Sequence, residues 1–241
     1  LNHGQKIWPR RLNFTDYIWF ASRNDHDAAK PHKCISMFLV PADNPGFSHT
    51  AIHTLGVRTN ATYYQDLELS DEWRVGEINK GWGLITGQLN RERLSLVNHG
   101  PVYQLYQEVA EWAAANKNSD GEQLLNKAWV RGNLAKVKTG LQALRLICLK
   151  QAWAMGEGTL TMEQASAAKV YGTEFFVEAY RLLLEILGHN GLIQADSTGA
   201  ILKGKLEHRY RVGSILTFGG GCNEVQREII AGAGLWMPRG R

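Results

Sequence analysis

The sequence pattern changes at about residue 80, and this change limits the folds open to the chain. Before it, short runs of β-branched and aromatic residues are separated by turns rich in Asn, Pro and Gly, which is typical of strands. After it, long segments carry apolar residues at helical spacing. The order indicates an α+β fold in which a small β-barrel or sandwich precedes an antiparallel four-helix bundle. We expect two domains, a β domain over residues 1–78 and a helical bundle over residues 79–241.

Local signals place the elements within this order. The predicted strands are 18–21, 35–40 and 62–69, with turns at 2–4, 24–27 and 44–46. The predicted helices are 81–117 with a perturbation at Gly100-Pro101, a second reaching about Met155, a third from Thr161 to Leu187, a shorter stretch near 198–212 and a last one over 223–232. Thr161 and Gln164 have the spacing of a capping box, which marks where the third helix begins.

Composition excludes several classes of function. The 27 Lys and Arg against 23 Asp and Glu give a net charge of +4 without a clustered basic run, so nucleic-acid binding is not expected. No apolar stretch is long enough to indicate a signal peptide or a membrane span. Cys34, Cys148 and Cys222 show no Cys-x-x-Cys spacing, so we expect neither a disulfide framework nor a metal site, and a cytoplasmic location.

A run of three glycines, Gly219 to Gly221, precedes the last predicted helix, which opens on Cys222-Asn223-Glu224. The first backbone N–H groups of a helix have no partner within it, so they can bind an anion or a polarised oxygen. A glycine-rich segment of this kind is more often a tight turn than a ligand site. Its significance therefore depends on the motifs that accompany it.

Three segments together identify a family. Gln5-Lys6-Ile7-Trp8, the segment from Val75 to Trp82, and the final Gly-x-Asn-Glu-Val-Gln-Arg block give a chain that resembles the acyl-CoA dehydrogenases. The resemblance covers about the C-terminal two-thirds of a family member. It implies that residues 1–78 are part of the central β domain and that the N-terminal helical domain lies outside this chain. The start at Leu1, without methionine, leads us to expect a preceding part.

The resemblance implies a reaction and a catalytic base. Family members bind FAD and oxidise an acyl-CoA to the trans-2-enoyl-CoA, with a carboxylate removing the Cα proton while hydride leaves Cβ for the flavin. Most members carry that carboxylate in the glycine loop, where this chain has Gly220. The isovaleryl- and long-chain-type enzymes carry it on the long helix, in a Leu-Asp-x-Glu-Arg-Leu context that resembles the segment Leu89 to Leu94. The resemblance therefore implies Glu92 as the base and the Gly220 N–H as the oxyanion donor. The alternative interpretation of Glu92 is a solvated helix-surface glutamate.

Further site residues follow from the resemblance. Asn90, Arg93 and Gly221 are assigned to substrate binding. Trp8, Cys222 and Glu224 are assigned to the cofactor, FAD. Some positions depart from the family pattern: Arg10 and Cys222 replace threonines, Glu185 replaces a glutamine, and Asp120 to Gln123 stand where many members grip the FAD pyrophosphate with Arg-x-x-Phe-Gly.

These departures resemble the subunits of heteromeric acyl-CoA dehydrogenases of actinobacterial steroid side-chain breakdown. The resemblance implies an acyl-CoA substrate, an electron-transfer flavoprotein as redox partner, and a homo- or hetero-tetramer with another subunit of the family. Two alternatives stay open. The chain could be a non-catalytic scaffold subunit of such a complex, or part of an acyl-CoA oxidase in which O₂ reoxidises the flavin.

Overall fold

The computed structural model describes residues 2–24 and 30–238, without the side chains of Asn2 and Asn90. The chain divides into two compact units, Leu1–Leu89 and Asn90–Arg241. This division falls within helix α1 (Gly81–Ser95). The domain boundary at residue 78 remains a prediction. None of the helices in the described ranges is long and apolar enough to cross a membrane.

The first unit contains two antiparallel three-stranded sheets. One has the order β1-β5-β4 and the other β2-β3-β6, the strands being β1 (Asn2–Arg10), β2 (Tyr17–Arg23), β3 (Ile35–Pro41), β4 (Phe47–His53), β5 (Arg58–Leu67) and β6 (Arg74–Val75). Alternate side chains from both sheets meet in one apolar core, formed by Leu12, Ile18, Phe20, Val40, Phe47, Tyr64 and Leu67. The expected small sandwich is confirmed.

The two edge strands of the first sheet, β1 and β4, were not predicted correctly from the sequence. Residues 2–4, predicted as a turn, belong to β1, with Gly4 opposite Tyr64, and β4 was not predicted at all. Both strands flank β5, and β4 is largely solvent-facing. An edge strand held by backbone hydrogen bonds does not need an alternating apolar pattern, so its sequence carries a weak signal. β5 itself begins at Arg58, earlier than the prediction. Most of the predicted turn at 24–27 lies outside the described residues.

The second unit is a helical bundle, as expected. After the end of α1 it comprises α2 (Gly100–Ala115), α3 (Ala128–Gly156), α4 (Met162–Leu187), α5 (Lys205–Gly213) and α6 (Asn223–Ile229), the last continued by a π-helical turn over Ile230–Gly234. The faces of α2, α3 and α4 that meet are apolar and buried, including Val102, Leu105, Val109, Leu134, Val137, Leu141, Leu144, Phe176 and Leu183. The capping box is confirmed, since the Thr161 hydroxyl accepts from the Gln164 N–H and the Gln164 side chain accepts from the Thr161 N–H.

The prediction of one perturbed helix over 81–117 is wrong, because two helices occupy this range. α1 ends at Ser95, and α2 begins at Gly100 with Pro101 in its first turn. Proline has no N–H to continue a preceding helix but fits the start of a new one. The Asn98 side chain accepts a hydrogen bond from the Gly100 N–H and so satisfies one amide at the break. The helical stretch predicted near 198–212 is also shorter, since α5 follows a 3-10 turn over Ile201–Gly204.

Gly172 allows α4 to approach the segment after α1 closely. A Cβ at this buried position would lie 2.6 Å from Val97 Cγ1, whereas a Cβ at Gly132 in α3 would meet nothing within 4 Å. We expect Gly172→Ala to lower the free energy of unfolding by about 1–3 kcal/mol through overpacking. Gly132→Ala should raise it by about 0.5–1 kcal/mol through helix propensity alone. Denaturant unfolding of both variants measures the contrast, and equal stabilisation by both would contradict the close approach.

Candidate active site

The glycine loop, defined here as Phe218 to Cys222, has a backbone that glycine alone adopts readily. Gly220 and Gly221 have φ of 67° and 97°, in the left-handed region. Cys222 then returns to an extended conformation as the N-cap of α6. Among the described residues, none accepts a hydrogen bond from the amides of Gly220 or Gly221. These two N–H groups are therefore available as donors.

The buried arginine of α1 binds this loop. Arg93 is only 7% exposed, and its Nε donates to the Gly220 carbonyl at 3.1 Å. The Gln226 side chain donates to the same carbonyl over a longer distance, 3.5 Å. Burial lowers the pKa of Arg93, and the neighbouring Glu92 opposes that shift. The contact joins α1 to a loop 127 residues further along the chain.

Glu92 lies on the helix face that borders the loop. The Leu96 N–H donates to the Glu92 carbonyl at 3.0 Å, so helical geometry extends as far as Leu96. Residues four apart in a helix share a face. A Cβ on Gly220 would lie 3.0 Å from Leu96 Cδ1, so this face is the one next to the loop. The Glu92 side chain is half-buried, which is compatible with a carboxylate that a substrate can reach.

A buried lysine that the sequence did not single out holds the other side of the loop. Lys169 on α4 is 0% exposed. Its Nζ donates to the Thr217 carbonyl at 3.0 Å, to the Gly221 carbonyl at 2.8 Å and to Asn223 Oδ1 at 2.6 Å. Burial lowers the pKa of Lys169, while Cys222 and Glu224 act in the opposite direction. The loop therefore has its carbonyls turned towards two buried cations.

Further contacts fasten α6 to α4 beside the lysine. Asn223 Nδ2 donates to Thr173 Oγ1 and to Glu174 Oε1, both at 3.1 Å. Glu174 also forms an ion pair with Arg227 at 2.8 Å. The hydrogen bond from Arg227 holds the pKa of Glu174 below its usual range. The start of α6, and with it the end of the glycine loop, is thus anchored by α4.

One signal in the sequence could have identified Lys169. The buried stripe of α4 includes Ala165, Ala168, Gly172 and Phe176, and Lys169 stands within the helical spacing of that stripe. A lysine among small and apolar residues at core positions needs buried acceptors. The sequence does not show where those acceptors are, because they lie about fifty residues away.

The structure brings together most of the residues assigned from the resemblance. Arg93, Gly220 and Gly221 are in contact, and Cys222 directly follows them. Glu224 is exposed in the first turn of α6. Asn90 belongs to α1, but its side chain lies outside the described part of the structure. The roles assigned to all of these residues remain predictions.

Trp8 belongs to the first unit. It has a φ of 81° at an irregularity between Ile7 and Arg10, where β1 changes register against β5. Such bulges redirect side chains. The Trp8 side chain is 61% exposed, so a flat aromatic surface is available that would fit a flavin ring.

The segment that replaces the pyrophosphate-binding motif does not fit a pyrophosphate. The amides of Asp120 and Glu122 donate to Asn118 Oδ1 at 3.0 and 2.9 Å, and the Gly121 amide donates to the Asn118 carbonyl at 3.1 Å. These donors are therefore already used, and two carboxylates flank them. Glu122 forms an ion pair with Lys127.

Glu185, which stands in place of a family glutamine, is also engaged within the chain. Its carboxylate forms an ion pair with Arg181 and accepts from Asn133 Nδ2 at 2.9 Å. These partners offset its charge, so the repulsion that an isolated glutamate would exert on a phosphate is reduced. Across the described ranges, no group of three or more His, Cys, Asp or Glu side chains is arranged to hold a metal ion.

Comparisons with known proteins agree on one family. Residues 79–235 match the model of the acyl-CoA dehydrogenase C-terminal domain. The acyl-CoA dehydrogenase FadE26 of Mycobacterium tuberculosis (strain ATCC 25618 / H37Rv) is 44% identical over 243 residues, which cover 98% of this chain and 61% of FadE26.

Two solved complexes share the fold. The ChsE4-ChsE5 complex from Mycobacterium tuberculosis contains a chain with a TM-score of 0.90 and 44% identity, and the Tcur3481-Tcur3483 steroid ACAD contains one with a TM-score of 0.92 and 42% identity. Each match covers 99% of this chain and 61% of the matched chain. The chain therefore spans about three-fifths of the length of these relatives.

Proposed function

This chain belongs to the acyl-CoA dehydrogenase family, and we propose that it serves the α,β-dehydrogenation of an acyl-CoA thioester to the trans-2-enoyl-CoA. Members of the family are flavoproteins. In this proposal Glu92 removes the Cα proton, while Asn90, Arg93 and Gly221 contribute to substrate binding. When bound, FAD supplies the acceptor for the hydride that leaves Cβ.

The observation that carries the proposal is the link between α1 and the glycine loop. The Cα proton of a thioester is weakly acidic, so its removal needs a base and a donor that stabilises the developing oxyanion. Arg93 contacts the Gly220 carbonyl, and Glu92 occupies the helix face that borders the same glycine. The Cα proton passes to the Glu92 carboxylate while loop amides, of which Gly220 N–H is the one assigned, donate to the thioester oxygen.

We propose that the flavin site is completed outside this chain. Trp8 offers an aromatic surface for the flavin ring, and Cys222 and Glu224 are assigned to the cofactor. Three amides of the segment from Asn118 to Glu122, those of Asp120, Gly121 and Glu122, are bonded to Asn118 and so are not available to a pyrophosphate. Relatives of this chain occur in two-component complexes, ChsE4-ChsE5 and Tcur3481-Tcur3483. We therefore propose a hetero-tetramer with a second subunit of the family, and in it the second subunit holds the pyrophosphate. This assembly accounts for the bonded segment and for the two-component relatives.

The substrate that we propose is the CoA thioester of a steroid with a carboxylated side chain, because one of the similar complexes is a steroid ACAD. An electron-transfer flavoprotein is the proposed electron acceptor. Anaerobic bleaching of the flavin absorbance, with a steroid acyl-CoA compared with octanoyl-CoA, tests the substrate on the purified assembly, and recovery of that absorbance on adding an electron-transfer flavoprotein tests the acceptor. We expect faster bleaching with the steroid thioester. No bleaching with any acyl-CoA would refute the dehydrogenase function.

A second candidate is a scaffold subunit without catalytic residues of its own. The same acidic, internally bonded segment favours it, because a chain that does not hold the pyrophosphate could serve only to support a partner. This candidate predicts a fully active assembly after substitution of Glu92. The acyl-CoA oxidase alternative predicts peroxide formation in air without an electron-transfer flavoprotein, which a peroxide assay on the same assembly measures.

A further inference from the structure

We propose that Lys169 is a positioning residue for the glycine loop. Its ammonium holds the Gly221 carbonyl towards the bundle, and this orients the Cys222 N–H to donate to the thioester oxygen of a bound acyl-CoA, beside the assigned donor, the Gly220 N–H. The inference rests on the proposed function, since it needs a thioester to be bound at the loop. Lys169 acts through the loop and does not touch the reacting atoms.

The contacts of Lys169 bracket the loop. Thr217 precedes it, Gly221 is within it and Asn223 follows it, and each provides one oxygen to Nζ. An ammonium has three N–H donors, so these acceptors use all of them. An apolar side chain could fill the same volume in α4, but it would leave the three oxygens without this donor. The Lys169 ammonium therefore fixes the conformation of the loop backbone by binding these three oxygens.

The directions of two loop N–H groups follow from the contacts of the carbonyls that precede them. In a trans peptide the C=O and the N–H point in opposite directions. Because the Gly221 carbonyl points to Lys169, the Cys222 N–H points away from the buried lysine. Because the Gly220 carbonyl points to Arg93, the Gly221 N–H points away from the buried arginine. Among the described residues, none accepts a hydrogen bond from the Gly221 N–H or the Cys222 N–H.

The positions of two successive amides thus depend on two buried cations, one from α1 and one from α4. Donors that stabilise an oxyanion act only when they are held at the right position before the reaction. A displacement of about 1 Å can lower a rate about 10²-fold. Loss of the lysine should therefore affect the rate of the chemical step more than the affinity for the substrate. Contacts with the CoA portion of the substrate also contribute to that affinity.

The test compares Lys169→Met with the wild type in the purified flavoprotein assembly. Methionine has a similar length and no donor. We expect the rate of flavin bleaching at saturating steroid acyl-CoA to fall about 10- to 100-fold, with the substrate dissociation constant changed by less than about threefold. A second readout is the infrared carbonyl stretch of the matching enoyl-CoA, labelled with ¹³C at the thioester carbon. In the variant this stretch should move up, towards its value in free solution.

Arg227→Met is the matched control. It removes the ion pair between α6 and α4, which involves Glu174, and leaves the loop carbonyls untouched. The pair is exposed, so its loss should change stability little. We expect this control to keep the wild-type bleaching rate and the wild-type carbonyl stretch. A control that behaved like Lys169→Met would assign the effect to general loosening between α4 and α6 and overturn the inference.

If Lys169→Met does not assemble, Asn223→Ala provides the test of the positioning role. It removes one of the three acceptors and should give a smaller change in the same direction in both readouts. Wild-type values in Asn223→Ala, or in an assembled Lys169→Met, overturn the inference while the dehydrogenase function stands. A wild-type assembly that neither bleaches nor binds the enoyl-CoA refutes the proposed function, and the inference with it.

Discussion

Glu92→Gln is expected to lower the rate of flavin bleaching by about 10²- to 10⁴-fold, the range typical of a lost general base. Glutamine keeps the shape of the side chain but cannot take the Cα proton. The neighbouring contact of Arg93 with Gly220 should persist, because it does not involve the Glu92 carboxylate. Substrate affinity is therefore expected to change much less than the rate. Anaerobic stopped-flow absorbance with increasing acyl-CoA separates the two quantities.

Arg91→Gln serves as the matched control, because Arg91 is the exposed neighbour of Glu92 on α1. It changes the local charge by the same amount, in the opposite direction, and should leave the bleaching rate within about threefold of the wild type. Exchange of the substrate Cα hydrogen with D₂O gives a second readout that depends on the base. If Glu92→Gln bleaches like the wild type, the base lies on another chain and the scaffold candidate gains support.

Gly204→Ala is expected to lower the free energy of unfolding by about 2–5 kcal/mol. Gly204 is the N-cap of α5, with φ of 67°, where a side chain is strained. A Cβ there would also lie 2.3 Å from the backbone nitrogen of Ala195, and backbone atoms cannot rotate away as a side chain can. Denaturant unfolding monitored by circular dichroism of the assembly measures the loss.

Gly158→Ala isolates the conformational part of that effect. Gly158 has the same φ of 67°, but a Cβ there would meet nothing within 4 Å. We expect it to lose about 1–2 kcal/mol, the cost of the left-handed backbone alone. The difference between the two variants measures the overlap at Ala195. Equal losses would show that the segment around Ala195 moves away freely when Gly204 gains a side chain.

Patterns along the chain were sufficient for the fold class and for the start of the third predicted helix. The capping box at Thr161 and Gln164 and the run of glycines act on residues within one turn, so a short window of sequence contains the whole signal. The same holds for the segment around Glu92, whose match to the family lies in six consecutive residues. The α+β fold and the family followed from such local features taken in order.

Features that depend on distant partners could not be found in this way. β1 and β4 are strands because β5 lies between them, although their own residues show little alternation. Chain order predicts neither the contact of Arg93 with Gly220 nor that of Lys169 with Gly221, which join residues 127 and 52 positions apart.

The sequence by itself therefore determined the fold class, the family and the candidate base, because periodicity, caps and motifs are local. The tertiary structure alone decided that Arg93 and Lys169 are buried beneath the glycine loop. A lysine or arginine is stable away from water only where folding brings acceptors to it. Apart from Asn223 Oδ1, those acceptors are backbone carbonyls, which every residue has, and no residue type identifies them in advance.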